Sequence, residues 1–279
     1  MKKIKLFTVV THNNGYFKAL KKSAKIFNYN FKVLGYKKKW EGLIWKFKLM
    51  LNNLNNLPDD EIVVFCDGFD VIVNKDSGEL INFFRNQNKD ILFGWEASNY
   101  TTLMYTLSLI AFKNQHLLKR EDIPNTGVYV GYVWAIKNFL KYCLDNITYE
   151  NDDQDIAYKA FANQKNLGLN LGITNRIYTI PLNLNEFFFF FKKFENNHID
   201  YNFIPKNNDY FFIHANGNRN MDKYVESQNL PKSMVTHSNH KHLTHFLGKV
   251  FNNTIRSKLF WIIVILIIIK IIPEEKKEN

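Results

Sequence analysis

Continuous apolar runs alternate with amphipathic stretches from the start of the chain. "KIKLFTVVT", residues 3–11, reads as a strand, and "HNNGYFKALKKSAKIFNY" follows directly with Phe17, Leu20, Ala24 and Phe27 along one helical face. "FKVLGY" (31–36) predicts a second strand. "WKFKLMLNNLNNL" (45–57) predicts a helix stopped before Pro58, whose ring disfavours helical backbone in the residue ahead of it. "EIVVFCD" is the third strand, and its unbroken apolar run suits a central strand covered on both faces. Further on, "GELINFFRNQ" reads as helix and "DILFGWE" (90–96) as strand, followed by an irregular stretch to residue 124. "PNTGVYVGYVWAIKNFLKYCLDN" gives a turn, a short strand and a helix. "NDDQDIAYKAFANQ" opens another helix, with Asp152 and Asp155 at the spacing of an N-cap and its partner three residues on. "LGLNLGITNRIYTIPL" supplies strands, and "YFFIHANGN" (210–218) ends one in a Gly turn. Strands alternating with helices predict an α/β fold with a mainly parallel sheet. The run "FFFFF" (187–191) reads as core or as an aromatic lip beside a site.

The C-terminal pattern is of another kind. "LFWIIVILIIIKII" (259–272) is apolar except for Lys270, with Arg256 and Lys258 before it and "PEEKKEN" after. As a helix it would span about 21 Å at 1.5 Å per residue, against a hydrocarbon core of roughly 30 Å. Snorkelling lysines and local thinning narrow that gap, so residues 258–273 are expected to form a membrane anchor; a buried terminal helix or strand is the alternative. Residues 1–230 then form the globular domain, 231–257 a linker and 274–279 a charged tail. His237, His240, His242 and His245 in the linker read as a solvated, weakly metal-binding cluster. The N-terminal apolar stretch is too short for a cleaved signal peptide. A C-terminal anchor would then leave the domain facing the cytosol, while "KKEN" matches a dilysine retrieval signal of an ER-like endomembrane or is a plain charged tail.

Composition adds two constraints. Two cysteines, Cys66 and Cys143, cannot form a disulfide framework and read as structural thiols. The net charge of +11 is local: residues 1–50 hold thirteen Lys, no Arg and one acid, Glu41, for +12, which leaves −1 for the remainder. A basic face attracts nucleic acid, anionic lipid or a diphosphate. With no Arg and no RNA-binding motif, nucleic acid is not the expected partner.

Candidate chemistry collects where strands are expected to end. Asp67 and Asp70 in "FCDGFDVIV", Asn125 in "NTG", Asp152 and Asp153 in "NDDQD", and His214 in "HANGN" all fall at such junctions. In open α/β sheets that edge binds ligands; the plain alternative for Asp67 and Asp70 is that they cap a turn. Two carboxylates and an imidazole suit a divalent cation such as Mn²⁺, which clamps a diphosphate leaving group. Phe69 and Trp40 are placed to stack a base, or else belong to the core.

In their order and separations, "FTVVTHNNGYFKALKKSAKIFNYNFKVLGYKKKW", "VVFCDGFDVIV", "NTGVYVGY", "DDQDIAY" and "FIHANGN" resemble the glycosyltransferase domain of the procollagen lysyl hydroxylase and collagen glucosyl/galactosyltransferase enzymes. The resemblance covers residues 3 to about 225 and implies a GT-A fold, a Rossmann-like, mainly parallel mixed sheet flanked by helices, that uses a UDP-sugar and Mn²⁺. It implies that Asp67, Asp70 and His214 ligate the metal and that Phe69 and Trp40 flank the uracil. Thr8 or Thr11 would approach the nucleotide, Lys46 the diphosphate, and Asn216, Gly217 and Lys223 the phosphates. Asp152 and Asp153 would serve the donor sugar and the acceptor, and Asn125 would hold the sugar.

The chain departs from the family at several points. "EGLIW" replaces a Gly-rich stretch, Phe69 a tyrosine and "NTGV" an "NSGG", while "WEASNYTT" lacks the aromatic that follows the family's "AES". The residues after 225 are too few for the family's iron-dependent hydroxylase portion, so that activity is not expected of them. The resemblance therefore implies transfer of glucose or galactose to a hydroxyl on a glycan or on a collagen-like protein, hydroxylysine included, without lysine hydroxylation. A non-catalytic UDP- and metal-binding scaffold at the membrane is the alternative from another class, and a metal-dependent phosphoesterase is a more distant one.

Overall fold

The computed structural model describes residues 3–96, 102–147, 153–180, 209–216, 220–234, 248–255 and 261. A six-stranded sheet is built from β1 (Lys5–Val9), β2 (Asn30–Leu34), β3 (Ile62–Asp67), β5 (Ile91–Trp95), β6 (Pro124–Tyr132) and β7 (Leu171–Thr174), in the order β2-β1-β3-β6-β5-β7. Pairs β1–β2, β1–β3 and β5–β7 are parallel; β6 runs antiparallel to both β3 and β5. The sheet is thus mixed and mainly parallel, as expected. A second, three-stranded sheet pairs β4 (Val71–Val73) with β9 (Phe212–His214) and β9 with β8 (Ile177–Thr179).

The unbroken apolar run of β3 explains the layering. Val63 and Phe65 point into one core with α2 (Leu43–Leu54), α5 (Val133–Asn146) and α6 (Asp153–Ala162), where they meet Met50, Phe139 and Phe161. Ile62, Val64 and Cys66 point the other way, against Leu20 of α1 (Phe17–Ile26) and Leu80 and Phe84 of α3 (Ser77–Arg85). Period-two alternation inside a continuous run therefore supplies two cores, with helices on both faces. Burying a side chain such as Phe65 contributes roughly 1.5–3 kcal/mol. Both cysteines are buried free thiols, as the sequence suggested.

Three local expectations change. The stretch read as irregular to residue 124 contains α4 (Thr102–Ala111) and two 3-10 turns, Gln115–Leu117 and Arg120–Asp122. Its sequence "TLMYTLSLIA" is apolar nearly all round and offers no polar face from which to read a period. The turn and short strand read in "PNTGVYVGY" are one nine-residue strand, with Pro124 at its first position, where a missing N–H is tolerated. The role expected of Asp155 widens: its carboxylate accepts from Asn114 N at 2.8 Å and Asn114 Nδ2 at 2.9 Å, tying α6 to the 3-10 segment, while Asp152, its expected cap partner, lies outside the described residues.

In the segment read as a linker, residues 248–255 are helical, and Asn253 Nδ2 donates to Ile110 O at the end of α4 at 2.9 Å. Among the described residues no helix is long and apolar enough to cross a membrane. Apart from Trp261, the expected anchor at 258–273 lies outside the described residues, as do the phenylalanine run, His237 to His245 and the charged tail.

Candidate metal and nucleotide site

The site forms where the two sheets meet. Asp67 is the last residue of β3, Asp70 immediately precedes β4 and His214 is the last residue of β9. Val71 stands opposite His214 in the antiparallel β4–β9 pair, and Ala215 N donates to Asp70 O at 2.7 Å, so this pairing brings the second acid to the imidazole. One ligand atom from each of Asp67, Asp70 and His214 lies within 4.8 Å of the others. Neither His214 nitrogen has a hydrogen-bond partner among the described residues, although the side chain is only 2 % exposed; its Nε2 is 3.6 Å from Asp70 Oδ2. Leaving buried polar atoms unpaired costs about 1–3 kcal/mol, a penalty that coordination to a cation removes. Burial works against a charge on this imidazole, but the carboxylates of Asp70, Asp67 and Glu96 together outweigh it and raise its pKa.

Two glycines make room for this geometry. A Cβ on Gly127 of β6 would lie 2.1 Å from His214 Cε1, so no other residue leaves the ring where it is. Gly15 has φ +47°, and a Cβ there would come within 2.3 Å of Phe69 O. The close approach lets Tyr16 N donate to Phe69 O at 2.7 Å, which fixes the turn between the two acids. Tyr16 is itself fully buried, and its hydroxyl oxygen accepts from Met221 N at 2.5 Å.

Lys46 of α2 is buried between two acids, 3.0 Å from Asp67 Oδ1 and 2.6 Å from Asp153 Oδ2 at the start of α6. Burial opposes its charge, yet Asp153 and Asp67 together hold it protonated well above the ordinary lysine range. Burial pushes the Asp67 carboxyl up, Lys46 pulls it down and Asp70 pushes it up again, so the net shift is upward.

Asn125 belongs to a second polar group. Its Oδ1 accepts from Gly127 N at 2.9 Å, and its Nδ2 donates to Glu96 Oε2 at 2.5 Å. Glu96 Oε1 in turn accepts from Asn216 Nδ2 at 3.4 Å. Glu96 is the site residue that sequence reasoning missed. The available signal was its position as the acid directly after an apolar strand, the same criterion that picked out Asp67. Gln154 locks this side: its Oε1 accepts from both Thr126 N and Oγ1 at 2.9 Å, and its Nε2 donates to Pro124 O at 2.5 Å. The first turn of α6 is thereby tied to the start of β6.

The remaining candidates are spread around this centre. Phe69 is half-buried with its ring 5.6 Å from that of His12, and Thr11 Oγ1 bonds His12 Nδ1 at 2.7 Å. Trp40 is 45 % exposed, edge-on to Trp45 at 5.7 Å, so it is not the core aromatic of the alternative reading. Thr8 is fully buried beneath Gly68. Lys223 is exposed on α7 (Asp222–Ser227), with no ion pair among the described residues. Asp152 and Gly217 lie outside the described residues.

The chain is 28 % identical over 188 residues to the multifunctional procollagen lysine hydroxylase and glycosyltransferase of Caenorhabditis elegans, a match that covers 61 % of this chain and 24 % of that protein. It is 27 % identical over 168 residues to procollagen-lysine,2-oxoglutarate 5-dioxygenase 2 of Homo sapiens, covering 56 % and 21 % respectively. The matched region spans about a quarter of the length of these curated relatives. Among solved structures, a glycosyltransferase involved in glycosylation of the major capsid of PBCV-1 matches with a TM-score of 0.45 at 14 % identity, over 77 % of this chain and 96 % of that one. The model of the PLOD GT domain, a glycosyltransferase domain, matches residues 1–237, and the chain belongs to that family.

Proposed function

We propose that the domain is a metal-dependent hexosyltransferase that moves glucose or galactose from a UDP-sugar to an acceptor hydroxyl. The observation that carries this reading is the Asp67–Asp70–His214 cluster with its unpartnered imidazole, in a chain of a glycosyltransferase family. The donor set fits a divalent cation, Mn²⁺ by the resemblance. Among the described residues the carboxylates of Asp67, Asp70, Asp153 and Glu96 gather at this edge and Lys46 pairs with two of them, Asp67 and Asp153, so added positive charge is accommodated and a bare nucleotide diphosphate is not. When bound, the cation neutralises charge that develops on the diphosphate as the sugar leaves.

The protein's own side chains supply the rest. Phe69 and Trp40 would flank the uracil, with Thr11 and the buried Thr8 beside the first strand and Asn216, Gly217 and Lys223 toward the phosphates. Lys46 fixes Asp67 and Asp153 relative to each other, so the ligand shell and the sugar side are positioned by one ammonium. Asn125 and Glu96 present an amide and a carboxylate to sugar hydroxyls. Asp152 and Asp153 orient the acceptor hydroxyl or take its proton. The acceptor is a glycan or a collagen-like protein, and residues 258–273 anchor the domain to a membrane.

UDP release from UDP-glucose and UDP-galactose by the full chain, with Mn²⁺ or EDTA, tests the reading beside Asp70→Ala. Metal-dependent release that disappears in the variant is expected. Equal release in EDTA would sink the metal-dependent assignment, and tight UDP binding without release under any condition would favour a scaffold.

A further inference from the structure

Thr179 of β8 stands beside His214 in the parallel β8–β9 pair, and Ile180 N donates to His214 O at 2.9 Å. Alternation along the three-stranded sheet puts their two side chains on one face. Ile72, Ile213 and Tyr178 stand opposite one another and share one apolar cluster, while Val73, Phe212 and Ile177, one position along each strand, share another. Val71, His214 and Thr179 follow by period two on the face of Phe212, and Val71 joins that second cluster. Neighbouring strands lie about 4.7–4.9 Å apart, so Thr179 is the next side chain to the imidazole on the β8 flank. Thr179 is 2 % exposed, and its Oγ1, like both His214 nitrogens, has no hydrogen-bond partner among the described residues. A valine would fill the same space without leaving a hydroxyl unpaired.

The neighbours of the ring say which nitrogen faces it. A Cβ on Gly127 would lie 2.1 Å from Cε1, 2.7 Å from Nδ1 and 2.8 Å from Nε2, so the ring turns its Cε1 edge to β6 with one nitrogen on either side. Nε2 is 3.6 Å from Oδ2 of Asp70, the residue just before β4. Because β9 lies between β4 and β8, Nδ1 takes the other flank, where Thr179 stands. The other carboxylates that act on this ring each have a partner: Asp67 pairs with Lys46, and Glu96 accepts from Asn125 and Asn216.

Accepting the metal-dependent reading, we propose that Thr179 is a positioning residue that acts through His214. Its hydroxyl accepts from Nδ1–H and leaves the Nε2 lone pair to the cation. A neutral imidazole carries one N–H and one lone pair, so holding the proton on Nδ1 settles which nitrogen ligates. Metal-bound histidines ordinarily donate their second N–H to an outer partner of this kind, which also fixes the plane of the ring. Rotation about the Thr179 Cα–Cβ bond to a neighbouring staggered position exchanges hydroxyl and methyl, bringing Oγ1 round without moving the backbone.

Calorimetry of Mn²⁺ binding to the full chain, beside urea denaturation in EDTA, separates this role from packing. Thr179→Val is expected to weaken Mn²⁺ binding about tenfold, and Thr179→Ser, which keeps the hydroxyl, to stay within about threefold of wild type. In EDTA the valine variant should be at least as stable as wild type, since it replaces an unpaired buried hydroxyl with a methyl. Wild-type affinity in Thr179→Val, equal weakening in Thr179→Ser, or a valine variant less stable than wild type in EDTA would each overturn the assignment. A wild-type chain that binds no Mn²⁺ would reject the metal-dependent reading and this role with it. Mn²⁺ binding that depends on the Thr179 hydroxyl, in a protein that never releases UDP, would reject the transferase and leave the positioning role standing.

Discussion

Replacing Lys46 with methionine keeps the length and most of the apolar stem while removing the ammonium from between Asp67 and Asp153. The two ion pairs this abolishes measure 3.0 Å and 2.6 Å, with side chains only 7 %, 29 % and 9 % exposed for Lys46, Asp67 and Asp153. Removing one partner of a buried pair costs about 3–5 kcal/mol because the other charge is stranded. Asp67 keeps some solvent, which places the expected loss near the lower end, about 3 kcal/mol. Because the folded Lys46 pKa is raised, the wild-type contribution is complete below the unfolded lysine value and fades only as pH rises through the folded one. It is therefore fully present at pH 7. In the variant, Asp67 loses the cation that pulls its pKa down, so its folded value rises further. An acid with a raised folded pKa favours the folded state at low pH, and that gain is lost as pH rises. Urea denaturation in EDTA at pH 8 and pH 5 should show a variant deficit that shrinks at the lower pH, and saturating Mn²⁺ should recover about 2.7 kcal/mol at 100 times Kd. A deficit below about 1 kcal/mol at pH 8, or one of equal size at both pH values, would refute the argument.

Gly127→Ala should weaken Mn²⁺ binding by more than about tenfold, read by calorimetry, because its Cβ would strike the His214 ring. Trp40→Ala should weaken UDP binding by about 1–3 kcal/mol with little change in thermal stability, since an exposed ring lost from a base costs binding and not core packing. Asp76 caps α3, accepting from Gly78 N at 2.7 Å and Asn28 Nδ2 at 2.8 Å, and these bonds hold its pKa below the ordinary value. Asp76→Ala should cost about 1 kcal/mol at pH 7. The wild-type advantage is present above the unfolded carboxylate pKa and lost as pH falls through the lower folded one, so the two proteins should converge in acid melts.

The Asp67–Asp70–His214 cluster was legible in the sequence because its signals are local. The "EIVVFCDGFD" stretch carries both the buried strand and the two acids within ten residues, and "FIHANGN" repeats the strand-end pattern. What escaped depends on long-range register. β6 begins at the edge where its antiparallel neighbours β3 and β5 end, so Asn125 reaches the site from the start of a strand. No spacing in "PNTGVYVGY" reveals direction, because antiparallel pairing is decided by residues 62–66 and 91–95. Glu96 carried the same strand-end signal as Asp67, but its pairing was hidden for a similar reason: its partners Asn125 and Asn216 are 29 and 120 residues away. Lys46 was visible as a candidate but not as a bridge between two acids, since α6 begins more than 100 residues later.

The reversed strand also divides the labour of inheritance. On one side of β6 lie β1, β2 and β3, with Asp67; on the other lie β5 and β7, with a cavity lined by Trp95, Leu171 and Ile173. The seam touches both, through Gly127 against His214 and Asn125 against Glu96. Mutations in β7 or in the Arg120–Asp122 turn can alter one half of the sheet while leaving Asp67 and its partners on the other in place. A lineage could thus vary that half many times while keeping one acidic cluster.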